Sequence, residues 1–126
     1  MILTHGKTKQ EILDEVGKKL FEQGGLSLAQ NGRTCEYKNY QGRNCAIGLM
    51  VDDIPEKFQG LSVGALIRKR IYLGVNHNFI HNNPHFCMKL QIMHDTAGHS
   101  VLRTHRKVGY DIKSWQPLYD LIDSQS

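Results

Sequence analysis

The sequence predicts one small α+β domain, with three to four helices packed on a short antiparallel β-hairpin. Three observations carry that prediction. Apolar residues recur at helical spacing behind recognisable caps. Two short segments between residues 34 and 49 alternate at strand period around a turn. The chain has 126 residues, the size of a single domain.

The first helix is expected over residues 8 to 23. Thr8 and Glu11 form a capping box, each satisfying a free N–H of the first turn. Ile12, Leu13, Val16 and Leu20 follow at helical spacing, and Gly24 and Gly25 supply the stop. Asn31 and Gly32 mark a turn. Cys35 and Tyr37 then share one face at strand period, residues 39 to 42 are loop, and Cys45, Ile47 and Leu49 alternate again. This reads as the hairpin, laid on the first helix. Residues 46 to 51 are apolar throughout, so the second arm also fits the start of a helix.

Asp52, Asp53, Ile54 and Pro55 suggest a cap and a short helical turn. Ser62 caps a second full helix with an inner stripe of Val63, Leu66, Ile67 and Ile71, stopped by Gly74. Residues 75 to 83 read as a polar loop. Asn83 and Pro84 open a third helix that buries Phe86, Cys87, Leu90 and Met93 and ends at Gly98. Residues 100 to 113 are ambiguous. A last helix spans residues 114 to 122, anchored by Trp115 with its N–H on one partner. The expected core includes Ile12, Val16, Leu20, Tyr37, Ile47, Leu66, Leu90 and Trp115.

Composition narrows the function classes. Apolar residues make up 40% and charged residues 22%, a globular mix. No apolar run approaches the ~20 residues that span a bilayer, so no membrane partner is expected. The first residues lack a basic leader before an apolar block, which points to the cytoplasm. Three cysteines cannot close a complete disulfide framework, and in that compartment they stay reduced. A net charge of +4 favours an acidic partner or nucleic acid.

Four constellations could carry chemistry. Cys35 and Cys45, on adjacent arms of the hairpin, are candidate metal ligands, with His94 and Asp95 completing a set of four. Against that stands the reading of both thiols as small core hydrophobes. Cys45 could be a nucleophile if a helix starts at it, with His94 as base. Adjacent side chains on a helix diverge, however, so Asp95 is expected not to orient His94. His77, His81 and His85 recur every four residues, but Pro84 breaks the helix they would need. The basic clusters Arg68, Lys69, Arg70 and Arg103, Arg106, Lys107 are the expected partner-binding residues. No aromatic residues interleave them and no glycine-rich phosphate loop exists, so neither a base-stacking platform nor a nucleotide cradle is signalled. No catalytic residue and no cofactor is expected.

Several segments together resemble a family of small uncharacterised phage and prophage proteins. They are the leading helix at Thr8, the Cys35-Glu36-Tyr37 step, the run from Gly42 through Cys45, Ala46, Ile47 and Gly48, the acidic-proline step at Asp52 to Pro55, and the Leu90 to Asp95 stretch. The resemblance implies a phage accessory factor made in a bacterial cytoplasm and brings no catalytic residues with it. The leading expectation is therefore a non-enzymatic protein that binds and inhibits a host protein of defence or metabolism. The alternatives are a nucleic-acid-binding accessory protein using the basic clusters, and a metal protein or cysteine-dependent enzyme centred on Cys35, Cys45 and His94.

Overall fold

Thr8 starts the first helix as its sequence requires. Its hydroxyl accepts from the Glu11 N–H at 3.1 Å, and the Glu11 carboxylate accepts from the Thr8 N–H at 2.9 Å. The computed structural model describes residues 1–105 and 108–125. Its helices are α1 (Lys9–Glu22), α2 (Val63–Arg68), α3 (His77–Asn82), α4 (Pro84–Thr96), α5 (Ser100–His105) and α6 (Gln116–Ser124). Short 3₁₀ turns at Glu56–Phe58, Gly74–Asn76 and Lys113–Trp115 lead into other segments.

α1 packs against α6 and its lead-in turn, and α2 packs against α4. Trp115 fastens the first pair. Its ring is fully buried and its indole N–H donates to the Leu13 carbonyl at 2.9 Å. Gly17 makes this approach possible, since a methyl group there would sit 2.5 Å from the ring. All eight residues of the expected core are buried.

The expected hairpin is not formed, and the fold is not α+β. Half of the chain is helical, and the described residues hold no sheet. They contain two isolated antiparallel bridges, Leu28 with Cys35 and Lys38 with Asn44. The second arm fails because the chain turns at Cys45. The Cys45 N–H still reaches the Tyr37 carbonyl at 3.0 Å. The Cys45 sulfur then accepts from the Gly48 N–H at 3.2 Å, and its carbonyl accepts from the Leu49 N–H at 3.1 Å. Cysteine here caps a single helical turn, in the way serine caps a helix. A side chain on Gly48 would overlap the Tyr37 carbonyl oxygen, so only glycine lets the turn sit there. The helical reading of residues 46 to 51 is the one the chain follows, for one turn.

The polar loop expected at 75–83 is also corrected, because most of it is helix α3. Asn76, taken for loop chemistry, is buried. Its amide donates to the Ile2 and Met50 carbonyls at 2.6 and 2.8 Å and accepts from the Thr4 N–H and hydroxyl at 3.0 and 2.9 Å. One side chain thereby ties the first residues, the Cys45 turn and α3 together. His77 and His81 stack on one face of α3 with ring centroids 4.0 Å apart. His85 lies beyond the break, on α4.

Gly17→Ala forces the Trp115 ring to move. It is expected to lower stability in urea by about 1–3 kcal/mol. Gly60→Ala meets open space and should stay within about 0.5 kcal/mol of the parent.

Candidate functional site

The third helix of the sequence reading becomes α4, and it carries two stripes. Phe86, Cys87, Leu90, Met93 and His94 are buried. Met88, Gln91, Ile92 and Asp95 fall on the next stripe, and these four line a groove of about 470 Å³. Its other walls are residues 34–37, residues 59–64 and Arg68. Tyr37 is braced there by its hydroxyl, which donates to the Leu61 carbonyl at 2.6 Å. The spacing of Met88, Ile92 and Asp95 was readable as a second stripe, and the sequence reading passed over it.

Cys35, His94 and Asp95 meet at this groove, with their ligand-type atoms within 4.8 Å of one another. Cys45 lies outside that group. Contrary to expectation, His94 and Asp95 do pair: ring Nδ1 lies 2.9 Å from the Asp95 Oδ1. The other ring nitrogen, Nε2, accepts from the Ser27 backbone N–H at 3.0 Å. A neutral imidazole that accepts at Nε2 carries its proton at Nδ1. His94 therefore donates to Asp95, and neither ring nitrogen has a lone pair left for a metal or for a thiol proton. The ring is fully buried.

The thiols point the same way. Burial pushes the Cys35 thiol up to about 12, and the neighbouring Asp95 carboxylate adds to the shift by charge and by hydrogen bond. Burial likewise holds the Cys45 thiol at about 12, against the lowering effect of the Gly48 N–H. A nucleophile must be a thiolate, and burial keeps both sulfurs protonated at neutral pH. The arrangement does the work of a polar staple. Asp95 takes hydrogen bonds from His94 and from the Gln91 amide at 2.8 Å, and Gln91 accepts from the Ile47 N–H at 3.3 Å. Through these bonds α4 holds residue 27 and the Cys45 turn.

The basic residues divide. Arg68, Lys69 and Arg70 are all exposed, and Arg68 lines the groove. Arg70 has φ of 54°, the one non-glycine residue in the left-handed region among those described. It occupies the place after a helix end where glycine is usual. Arg103 is structural. Its guanidinium donates to Asp123 at 2.7 Å and lies over the Tyr119 ring at 4.7 Å, with the side chain only 10% exposed. Arg106 and Lys107 lie outside the described residues. No helix is long and apolar enough to cross a membrane among the residues described.

Set against family models, curated proteins and solved structures, the chain finds no match in any of the three comparisons.

Two outcomes follow from the site's electrostatics and strain. Cys35, Cys45 and Cys87 keep their protons to about pH 12 when folded, whereas an ordinary thiol releases its proton near 9. The unfolded chain then binds fewer protons than the native one, so stability is full below pH 9 and falls as the pH rises towards 12. Urea midpoints measured across that window should decline, and less steeply in Cys87→Ala, while a flat profile would contradict the assignment. Arg70→Gly should raise stability by about 1 kcal/mol through relief of the left-handed backbone, and thermal or urea unfolding reads it directly.

Proposed function

We propose that the chain is a non-catalytic accessory protein of phage type, which works in the bacterial cytoplasm by docking on a host protein of defence or metabolism and inhibiting it. One observation carries this reading. The side chains at the groove that could do chemistry are engaged internally, with the His94 lone pair on the Ser27 N–H, the Asp95 carboxylate on His94 and Gln91, and the Cys35 thiol kept protonated by burial, while apolar side chains beside them face solvent. Met88 is 39% and Ile92 45% exposed. Exposed apolar surface rimmed by polar groups is typical of an interaction site. The nucleic-acid alternative has weaker support, because Arg103 is held by Asp123 and Tyr119, so among the described residues of the two clusters Arg68, Lys69 and Arg70 are the exposed cations.

The test is capture from a nuclease-treated bacterial lysate on the immobilised chain. A defined host protein should be retained by the parent and lost by the double variant Met88→Glu, Ile92→Glu, whose thermal unfolding should match the parent because both positions are solvated. Retention that the double variant leaves intact, or that disappears with nuclease treatment, would move the function away from the groove.

A further inference from the structure

The basic cluster at the end of α2 lies beside a stack of aromatic rings that the sequence does not display. Burial alternates along the chain there: Arg70 is exposed, Ile71 half-buried, Tyr72 exposed and Leu73 buried. Arg70 and Tyr72 therefore share one outer face, with Lys69 next to them. The Tyr72 ring packs on His77 with centroids 5.3 Å apart, and His77 packs on His81 at 4.0 Å. Two backbone bonds hold the histidines in place. His77 Nδ1 accepts from the Leu73 N–H at 3.1 Å, and His81 Nε2 donates to the Ile71 carbonyl at 3.2 Å. The residues on either side of Tyr72 thus fix the rings it packs against, while Tyr72 itself stays 74% exposed. A stack held in this way before binding loses little entropy when one more planar ring is added.

Charge and shape together select that ring. Lys69 and Arg70 have no ion-pair partner among the described residues. The carboxylate placed against this segment is that of Asp52, at Gly74, and the two cations outweigh it. Arg68 stays out of this balance because it lines the groove. The left-handed backbone at residue 70 keeps a cation where glycine would be relaxed, and such strain clusters at functional positions. An acidic peptide would use the cations and leave the ring idle. A nucleotide uses both, its phosphate on the cations and its base on the ring. A free nucleotide needs a concave pocket that covers most of it, whereas Tyr72 stands open and is not among the residues that line the groove. An unpaired strand needs only the open face, and the bases of a duplex are already stacked on one another.

We infer that this face binds single-stranded nucleic acid, with one unpaired base stacked on Tyr72 and the flanking phosphates on Lys69 and Arg70. The site is separate from the groove, and it stands or falls independently of the reading proposed there.

The probe is a fluorescein-labelled oligothymidylate of about ten nucleotides, followed by anisotropy between about 0.05 and 0.2 M salt. Two phosphates neutralised on a single strand give a slope of log K against log salt of about −1.4. Tyr72→Ala should weaken binding by about tenfold with the slope unchanged, and Tyr72→Phe should keep the parent affinity, because the ring carries the contact and the hydroxyl does not. Arg70→Gly, expected above to be the more stable protein, should bind more weakly, with its slope reduced to about −0.7. Ile92→Glu, in the groove, should change nothing. A duplex of the same length, free thymidine monophosphate and a glutamate-rich peptide should each compete at least about tenfold less well than the unlabelled strand. Binding that Tyr72→Ala leaves intact, or no binding at the lowest salt, would overturn the inference. Equal competition would overturn it too: by the duplex it would mark general electrostatics, by the mononucleotide a small-molecule site, and by the peptide a protein-docking face.

Discussion

Residues 23–55 contain neither helix nor sheet, and that single constraint shapes the rest of the molecule. Each peptide unit in such a stretch carries a donor and an acceptor that must be satisfied when buried. With no ladder to do it, side-chain amides and one imidazole do it instead. Gln23 bonds both the N–H and the C=O of Asn44. Asn39 holds the Leu28 carbonyl and the N–H groups of Gln41 and Arg43. Asn76 takes the Met50 carbonyl, and His94 takes the Ser27 N–H. The helices form a frame, and planar polar side chains reach out from it to fix the irregular stretch.

This division of labour explains why His94 and Asp95 look like chemistry and behave as structure. A histidine beside a carboxylate and a thiol is the composition of a catalytic or metal-binding set. What separates the two roles is the partner on the far ring nitrogen. A ligand or general base needs that nitrogen's counterpart to hold the proton and point at an acceptor. Here the tautomer is the one such a role needs, with Nδ1–H on Asp95, but the lone pair of the far nitrogen is taken by the Ser27 N–H. The protein has used the residue types of an active site to close gaps in its own backbone hydrogen bonding.

The helices were legible because their signals are local. The Thr8 capping box, the Ser62 cap and the Asn83-Pro84 start each lie within one turn of what they control, and the apolar stripes behind them name the buried faces. The hairpin was misjudged for an equally local reason. Alternation over Cys45, Ile47 and Leu49 fits a strand, and what overrides it is a contact between Gly48 and the Tyr37 carbonyl that no short window displays. The groove was half legible. Cys35, Cys45, His94 and Asp95 read as a possible set; Cys45 falls outside it, and the meeting of the other three depends on α4 packing beside residue 27, as does the tautomer. Asn76 was invisible as a core residue, since an asparagine between Gly74 and His77 reads as loop. Its burial depends on the first four residues returning to meet it.

Two of the ties described above join distant parts of the chain: Leu13 with Trp115, 102 residues apart, and Thr4 with Asn76, 72 apart. During synthesis the ribosome delivers Leu13 long before Trp115. Until Trp115 emerges, the face of α1 that the indole covers has no cover, and Gly17 leaves a notch in it. Between the two, the nascent chain carries an amphipathic helix whose apolar side is unclaimed, a state that invites chaperones or misassociation. Contacts of such long sequence separation also slow folding, because the loop they close must be paid for in entropy before the contact forms. Trp115 is in this sense the timing element of the fold.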